Sequence, residues 1–331
     1  MIKLIAETAW HHQGDRSFMI NLIEKIINET KTNYIKIHLS LNFDEYMLPD
    51  HPLYRKQKDW MLKKNDWEQI ITKIKDSNKK LMILFNDKES IEFGMQFSPE
   101  LVEIHSVCLN DIKLLEYLNT KITNKNKIVF GVGGSKTSEL DLAINFINSN
   151  EIVLMHGFQS YPTNYEDVNL NKINFLKKMY KNYEHGYADH SSWDEPNNLL
   201  VSLIGASQGM QYLEKHVTID MGKERVDWQS AISIDLFNQL HKKITIFNQT
   251  MGDGNIEHSD AEKKYAELGI MKKIGIAIKE VDEGEKLTLN HFNFYRTRMK
   301  TELTQSQLIS KVGSKLNRKI MPGEPFQLDH F

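Results

Sequence analysis

Two short polar clusters, Asp189-His190 and Glu214-Lys215-His216, each close an apolar run and are the best-suited cation holders in this chain. Neutral imidazole binds divalent ions, and flanking carboxylates can orient the rings. Two histidines leave most of a coordination sphere open, which suits a Lewis-acid ion: Mn2+ first, with Mg2+ or Co2+ as alternatives. The competing reading is a pair of histidines that cap strands through their ring N–H groups. Other residues of chemical interest are Glu7, His11 and His12; Lys36 and His38; His105, Ser106 and Cys108; His156, Gln159 and Tyr161; and Asp227. Cys108 is the one cysteine, either a nucleophile or a small buried residue. The run Gly133-Gly134-Ser135-Lys136-Thr137 has serine where a phosphate-binding loop needs glycine before its lysine, so that motif is excluded.

These residues can act together only if the fold gathers them. Apolar runs at 2–6, 34–37, 81–85, 101–104, 128–132, 151–155, 185–188 and 210–214 read as strands. Helical patterns follow at 17–27, 67–74, 89–95, 111–118, 138–147, 171–180, 198–205 and 234–248. Eight strand–helix units predict a parallel sheet closed as a (β/α)8 TIM barrel. In such a barrel the chemistry stands at the C-terminal strand ends. Seven of the thirteen histidines (11, 12, 38, 105, 156, 190 and 216) fall there. The long, aromatic-rich stretch 40–65 after the second strand is either a functional loop or an insertion packed on the rim.

Residues 253–264 turn polar, which predicts a barrel over 1–255, a linker over 256–276 and a small β-rich module over 277–331. That module carries a weak duplication: Val281 to Phe292 resembles Ile320 to Phe331, each with Gly-Glu and then Leu and His-Phe. Forty-two basic against 44 acidic residues give a net charge of −2, which offers no electrostatic reason for nucleic acid or anionic membrane as a partner. No apolar run reaches the roughly 18 residues of a membrane span. Met1 to Glu7 turns acidic before a signal-peptide core forms, and a lone cysteine points to a reducing, cytoplasmic setting.

The motifs resemble those of the sialic acid synthases and their legionaminate and pseudaminate relatives. The resemblance runs through Ile5-Ala6-Glu7, His12-Gln13-Gly14-Asp15 and Tyr34-Ile35-Lys36. It continues through Leu154-Met155-His156, Ser160-Tyr161-Pro162-Thr163, Gly186-Tyr187-Ala188-Asp189-His190 and Leu213-Glu214-Lys215-His216. It implies a TIM barrel followed by an antifreeze-like domain. It also implies condensation of phosphoenolpyruvate with an N-acetylated hexosamine to a nine-carbon sugar acid. Under it a Mn2+-like ion rests on His190 and His216, and Lys36 and Ser106 hold phosphoenolpyruvate. Glu7 and Glu214, with Lys36, serve the reacting centre; Gln159, Tyr161 and Asp227 meet the substrates. Arg296 of the small domain reaches a partner's site in a domain-swapped homodimer. The chain departs from the family with Glu103 in place of lysine, Cys108 in place of glutamate and Ala188 in place of serine. These departures keep two alternatives: a metal-dependent aldolase, lyase or isomerase that does not use phosphoenolpyruvate, and an inactive sugar-binding paralogue.

Overall fold

In the computed structural model, which describes residues 1–157 and 160–331, eight parallel strands pair in chain order and the first closes on the eighth. They are β1 (Lys3–Glu7), β2 (Tyr34–Leu39), β3 (Lys80–Phe85), β4 (Leu101–Ile104), β5 (Lys127–Gly131), β6 (Ile152–His156), β7 (Glu184–Asp189) and β8 (Tyr212–Thr218). The chain divides into two compact units, Met1–Gly252 and Asp253–Phe331. The first is the expected TIM barrel.

Its helices form where the apolar spacing asks for them. In α1 (Arg16–Glu29) the buried residues are Phe18, Met19, Leu22, Ile23 and Ile26, one stripe at helical period. Asp15 caps it by accepting from the Phe18 amide at 2.9 Å, a contact worth about 1 kcal/mol. The stretch after β2 folds into two short helices, α2 (Phe43–Tyr46) and α3 (Tyr54–Lys58). The Phe43 ring joins them, 5.6 Å from Tyr54.

Strand side chains alternate between two cores. Ile5, Tyr34, Met82, Leu101, Val129, Val153, Met155, Ala188 and Tyr212 fill the barrel interior. Their neighbours Leu4, Ile35, Leu81, Val102, Ile128, Leu154, Tyr187 and Leu213 face the helices. With a period of two, the next inward residues are Glu7, Lys36, Leu84, Glu103, Gly131 and Glu214. The apolar floor therefore sits directly below a layer that carries four ionisable side chains, Glu7, Lys36, Glu103 and Glu214.

The last strand starts and ends later than its apolar run predicts. Gly209, at φ +81, turns the chain out of helix Asn198–Ser207, and the Met210 amide still bonds back to the Ala206 carbonyl at 3.2 Å. Pairing therefore starts at Tyr212 and carries Lys215 and His216 inside the strand. The same helix approaches β7 at Gly205, where a Cβ would lie 2.2 Å from the Tyr187 ring. Gly205→Ala is expected to cost about 1–3 kcal/mol by overpacking, read as a lowered thermal midpoint against the wild type.

In the second unit, Ile274–Ala277 pairs antiparallel with Phe292–Tyr295. The duplicated segments meet each other: the Val281 and Ile320 amides and carbonyls exchange two hydrogen bonds at 3.0 Å. Both copies end in a 3-10 turn whose histidine Nδ1 accepts from a backbone amide, His291 from Thr288 at 3.3 Å and His330 from Gln327 at 3.1 Å. Residues Asp260–Tyr265, within the stretch predicted as a linker, form a short helix. Among the described residues no helix is long and apolar enough to cross a membrane.

Candidate active site

The charged layer opens into a cavity of about 250 Å3 at the C-terminal ends of the strands. Strand register builds its floor. Glu7 of β1 stands opposite Lys36 of β2 on one side and His216 of β8 on the other. The Lys36 ammonium lies 2.8 Å from Glu7 Oε2, 2.6 Å from Glu103 Oε2 and 3.0 Å from Glu214 Oε1. All four side chains are buried. Burial alone would lower Lys36, but Glu103, Glu214 and Glu7 outweigh it and hold the ammonium well above the usual lysine range.

The two outer carboxylates of the cluster differ. Burial would raise Glu7, yet Lys36 and His38 hold it well below the usual range. Its Oε1 accepts from the Ala9 amide at 2.8 Å and lies 2.9 Å from His38 Nε2. Burial raises Glu214 well above its usual value, with Glu7 and Glu103 adding to the push against Lys36. Its Oε2 is buried with no hydrogen-bond partner. One side of the cluster therefore carries fixed negative charge and the other favours a proton.

Beside this cluster, His190 Nε2 and His216 Nε2 stand 3.1 Å apart, with the rings at 67°. His190 Nδ1 lies 3.0 Å from the Ala188 carbonyl. A carbonyl only accepts, so neutral His190 carries its proton on Nδ1 and a lone pair on Nε2. Burial pushes His190 down to about 4 and His216 well below its usual value, which keeps both rings in the neutral, ligating form. Ligand bonds of about 2.1 Å put neighbouring ligands of an octahedral ion about 3.0 Å apart, so the pair fits a divalent cation. Among the described residues no cluster of three or more His, Cys, Asp or Glu is formed to hold an ion. The remaining positions would fall to water or substrate oxygens. Behind the rings, buried Lys215 meets Asp189 Oδ2 at 2.7 Å, and Asp189 also accepts from the Ser191 hydroxyl at 2.9 Å. These bonds tie β7 to β8 next to both histidines.

Ser106, Tyr161 and Asp227 also line the cavity. Asp227 sits in the left-handed region at φ 57, and burial raises its carboxyl to about 6 against the pull of His38. Gln159 lies outside the described residues. Arg296 belongs to the second unit, where its Nε donates to the Ile270 carbonyl at 2.6 Å. Cys108 is buried, and burial with Asp111 and Asp87 nearby pushes its thiol up to about 12, which removes it as a nucleophile. His156, one residue beyond inward-facing Met155, also lines the cavity, and its ring pairs with His185 at 3.0 Å in a buried stack. Glu103, which the sequence offers only as a departure from the family's lysine, enters the site as an ion-pair partner of Lys36. Its signal was a charge inside the four-residue apolar strand β4, a position that burial tolerates only with a partner.

A model of the NeuB family matches residues 30–256, more than half of the chain. The chain is 25% identical over 328 residues to an uncharacterized protein of Methanocaldococcus jannaschii, covering 96% of this chain and 89% of that one. It is 25% identical over 300 residues to an N,N'-diacetyllegionaminic acid synthase of Campylobacter jejuni, covering 85% and 86%. The crystal structure of an N-acetylneuraminic acid synthetase from Leptospira borgpetersenii superposes with a TM-score of 0.71 at 23% identity, covering 80% of this chain and 90% of that one.

Proposed function

The chain belongs to the NeuB family, and from that membership and the barrel-mouth geometry we propose that it condenses phosphoenolpyruvate with the open-chain aldehyde of an acetamido-hexose. The products are a nine-carbon sugar acid and phosphate. The observation that carries the reading is the His190–His216 pair, with its facing Nε2 atoms 3.1 Å apart, beside a buried lysine–carboxylate cluster. His190 and His216 would hold a divalent ion, Mn2+ first. When bound there, such an ion supplies Lewis-acid polarisation of an aldehyde oxygen.

The chain's own groups handle the protons. The enol carbon of phosphoenolpyruvate forms the new bond to the aldehyde carbon, whose oxygen gains a proton. Glu214 Oε2, buried and without a hydrogen-bond partner, is placed to give it. Water then adds to the cationic carbon, loses a proton, and the carbon–oxygen bond to phosphate breaks. Glu7 is the base for that water: the Ala9 amide and His38 fix its carboxylate, and fixed orientation is worth more than strength in a general base. Lys36 lies between the two and stabilises negative charge at the cavity floor. Tyr161 and Asp227, on the cavity wall, are the sugar-facing groups.

The test is phosphate release. Protein incubated with Mn2+, phosphoenolpyruvate and a panel of acetamido-hexoses should release one phosphate per sugar acid formed with at least one sugar. Silence with every sugar in the panel, in protein that is folded and loaded with the ion, overturns the proposal.

A further inference from the structure

A lysine ammonium has three N–H bonds to give. Around Lys36 three carboxylates compete for them, and Glu103 is the nearest at 2.6 Å. Each of the three is buried, so water does not screen them. A substrate anion arriving at this floor therefore meets an ammonium already ion-paired with three carboxylates. It also meets a region where acidic side chains outnumber the ammonium three to one.

The three carboxylates are not equivalent in their ties. Glu7 is held from its other oxygen by the Ala9 amide and His38. Glu214 makes a well-directed hydrogen bond from Lys36. Glu103 Oε2, like Glu7 Oε2, lies within ion-pair distance of Lys36 without a hydrogen bond of good geometry, but among the described residues Glu103 has neither a backbone amide nor a histidine on its other oxygen. Its carboxylate is the one placed where an incoming anion could substitute for it. Glu103 projects from β4, next to the wall formed by His105 and Ser106, which also line the cavity.

We propose that Glu103 is a specificity-determining residue for the anionic donor: it occupies Lys36 in the donor's place, and the donor binds only by displacing it. The inference rests on the reading of phosphoenolpyruvate as donor and deepens it. Glu103 thereby weakens donor binding and leaves the sugar side, at Tyr161 and Asp227, unaffected. The effect is one of charge, which separates it from a packing role. Removing the charge while keeping the shape frees Lys36, whereas shortening the side chain while keeping the charge does not.

Calorimetric titration with phosphoenolpyruvate in the presence of Mn2+ tests this on the full chain without requiring turnover. Glu103→Gln should bind phosphoenolpyruvate about tenfold or more tightly than the wild type, the gain from removing one opposing charge at close range. Glu103→Asp should remain near the wild type. In turnover, KM for phosphoenolpyruvate should fall in Glu103→Gln while KM for the sugar holds. Equal or weaker binding by Glu103→Gln overturns the inference, and so does a common shift in the Gln and Asp variants. If the wild type releases phosphate and Glu103→Gln gains no affinity, the inference alone fails. If neither protein binds phosphoenolpyruvate, the proposed function fails with it.

Discussion

His216→Ala and His190→Ala should each lower kcat by about 10²–10³-fold or more and abolish stoichiometric Mn2+ binding in a calorimetric titration, with the fold retained by circular dichroism. The argument is one of ligand count. The two Nε2 atoms are 3.1 Å apart, and among the described residues no larger ligand cluster backs them up. Losing one imidazole leaves a single protein nitrogen, too little to hold a hydrated ion. Removing a ring from this position costs the barrel little, because the Lys215–Asp189 pair that ties β7 to β8 stays in place behind it. Loss of turnover with metal binding intact would contradict the ligand assignment and point instead to direct contact with substrate. Retained turnover in both variants would remove the ion from the mechanism.

The barrel was readable from hydrophobic periodicity because each β-strand and its following helix bury different apolar faces, and those faces leave different spacings in the chain. Asp189-His190 and Glu214-Lys215-His216 were readable for a related reason: polar clusters that interrupt apolar strands demand partners. The start of β8 was not readable. Met210 extends the apolar run backward, and Gly209, turning at φ +81, delays the strand to Tyr212. Glu103 shows a second limit. Its partner Lys36 is 67 positions away and two strands over, and the contact exists because β2 pairs with β3 and β3 with β4 in a register that places Leu84 opposite Glu103. Register is set by how many residues each loop supplies, which no local pattern records. The same limit applies to His156: it lines the cavity as its place at a strand end suggested, but its pairing with His185 of β7 follows from strand register.

Replacing Lys36 itself should be the most destabilising single change in the cavity. Lys36→Met removes the only ammonium among three buried carboxylates, and taking one partner from a buried ion pair costs about 3–5 kcal/mol. The loss should depend on pH, and its sign follows from the wild-type shifts. The folded-state value of Lys36 is raised, so its contribution is complete below the unfolded lysine value of about 10.4 and fades only as pH climbs through the folded one. Glu7 is depressed, so its contribution is complete above the unfolded glutamate value of about 4.3 and is lost as pH falls through the folded one. Between about pH 5 and 10 the wild type therefore holds both contributions in full. In Lys36→Met the largest offset to the burial of Glu7 is gone while His38 and the Ala9 amide remain, so its value rises, Glu214, already raised, rises further, and the pH dependence turns toward stability at lower pH. The variant should regain stability as the medium is acidified, because protonating a buried carboxylate now relieves the repulsion that the ammonium used to absorb. Urea unfolding at pH 8 and pH 5 reads this directly: a large deficit against the wild type at pH 8 and a smaller one at pH 5. An equal deficit at both would mean that the cost is lost packing around the lysine stem, and that the carboxylates of this floor are not held by its charge.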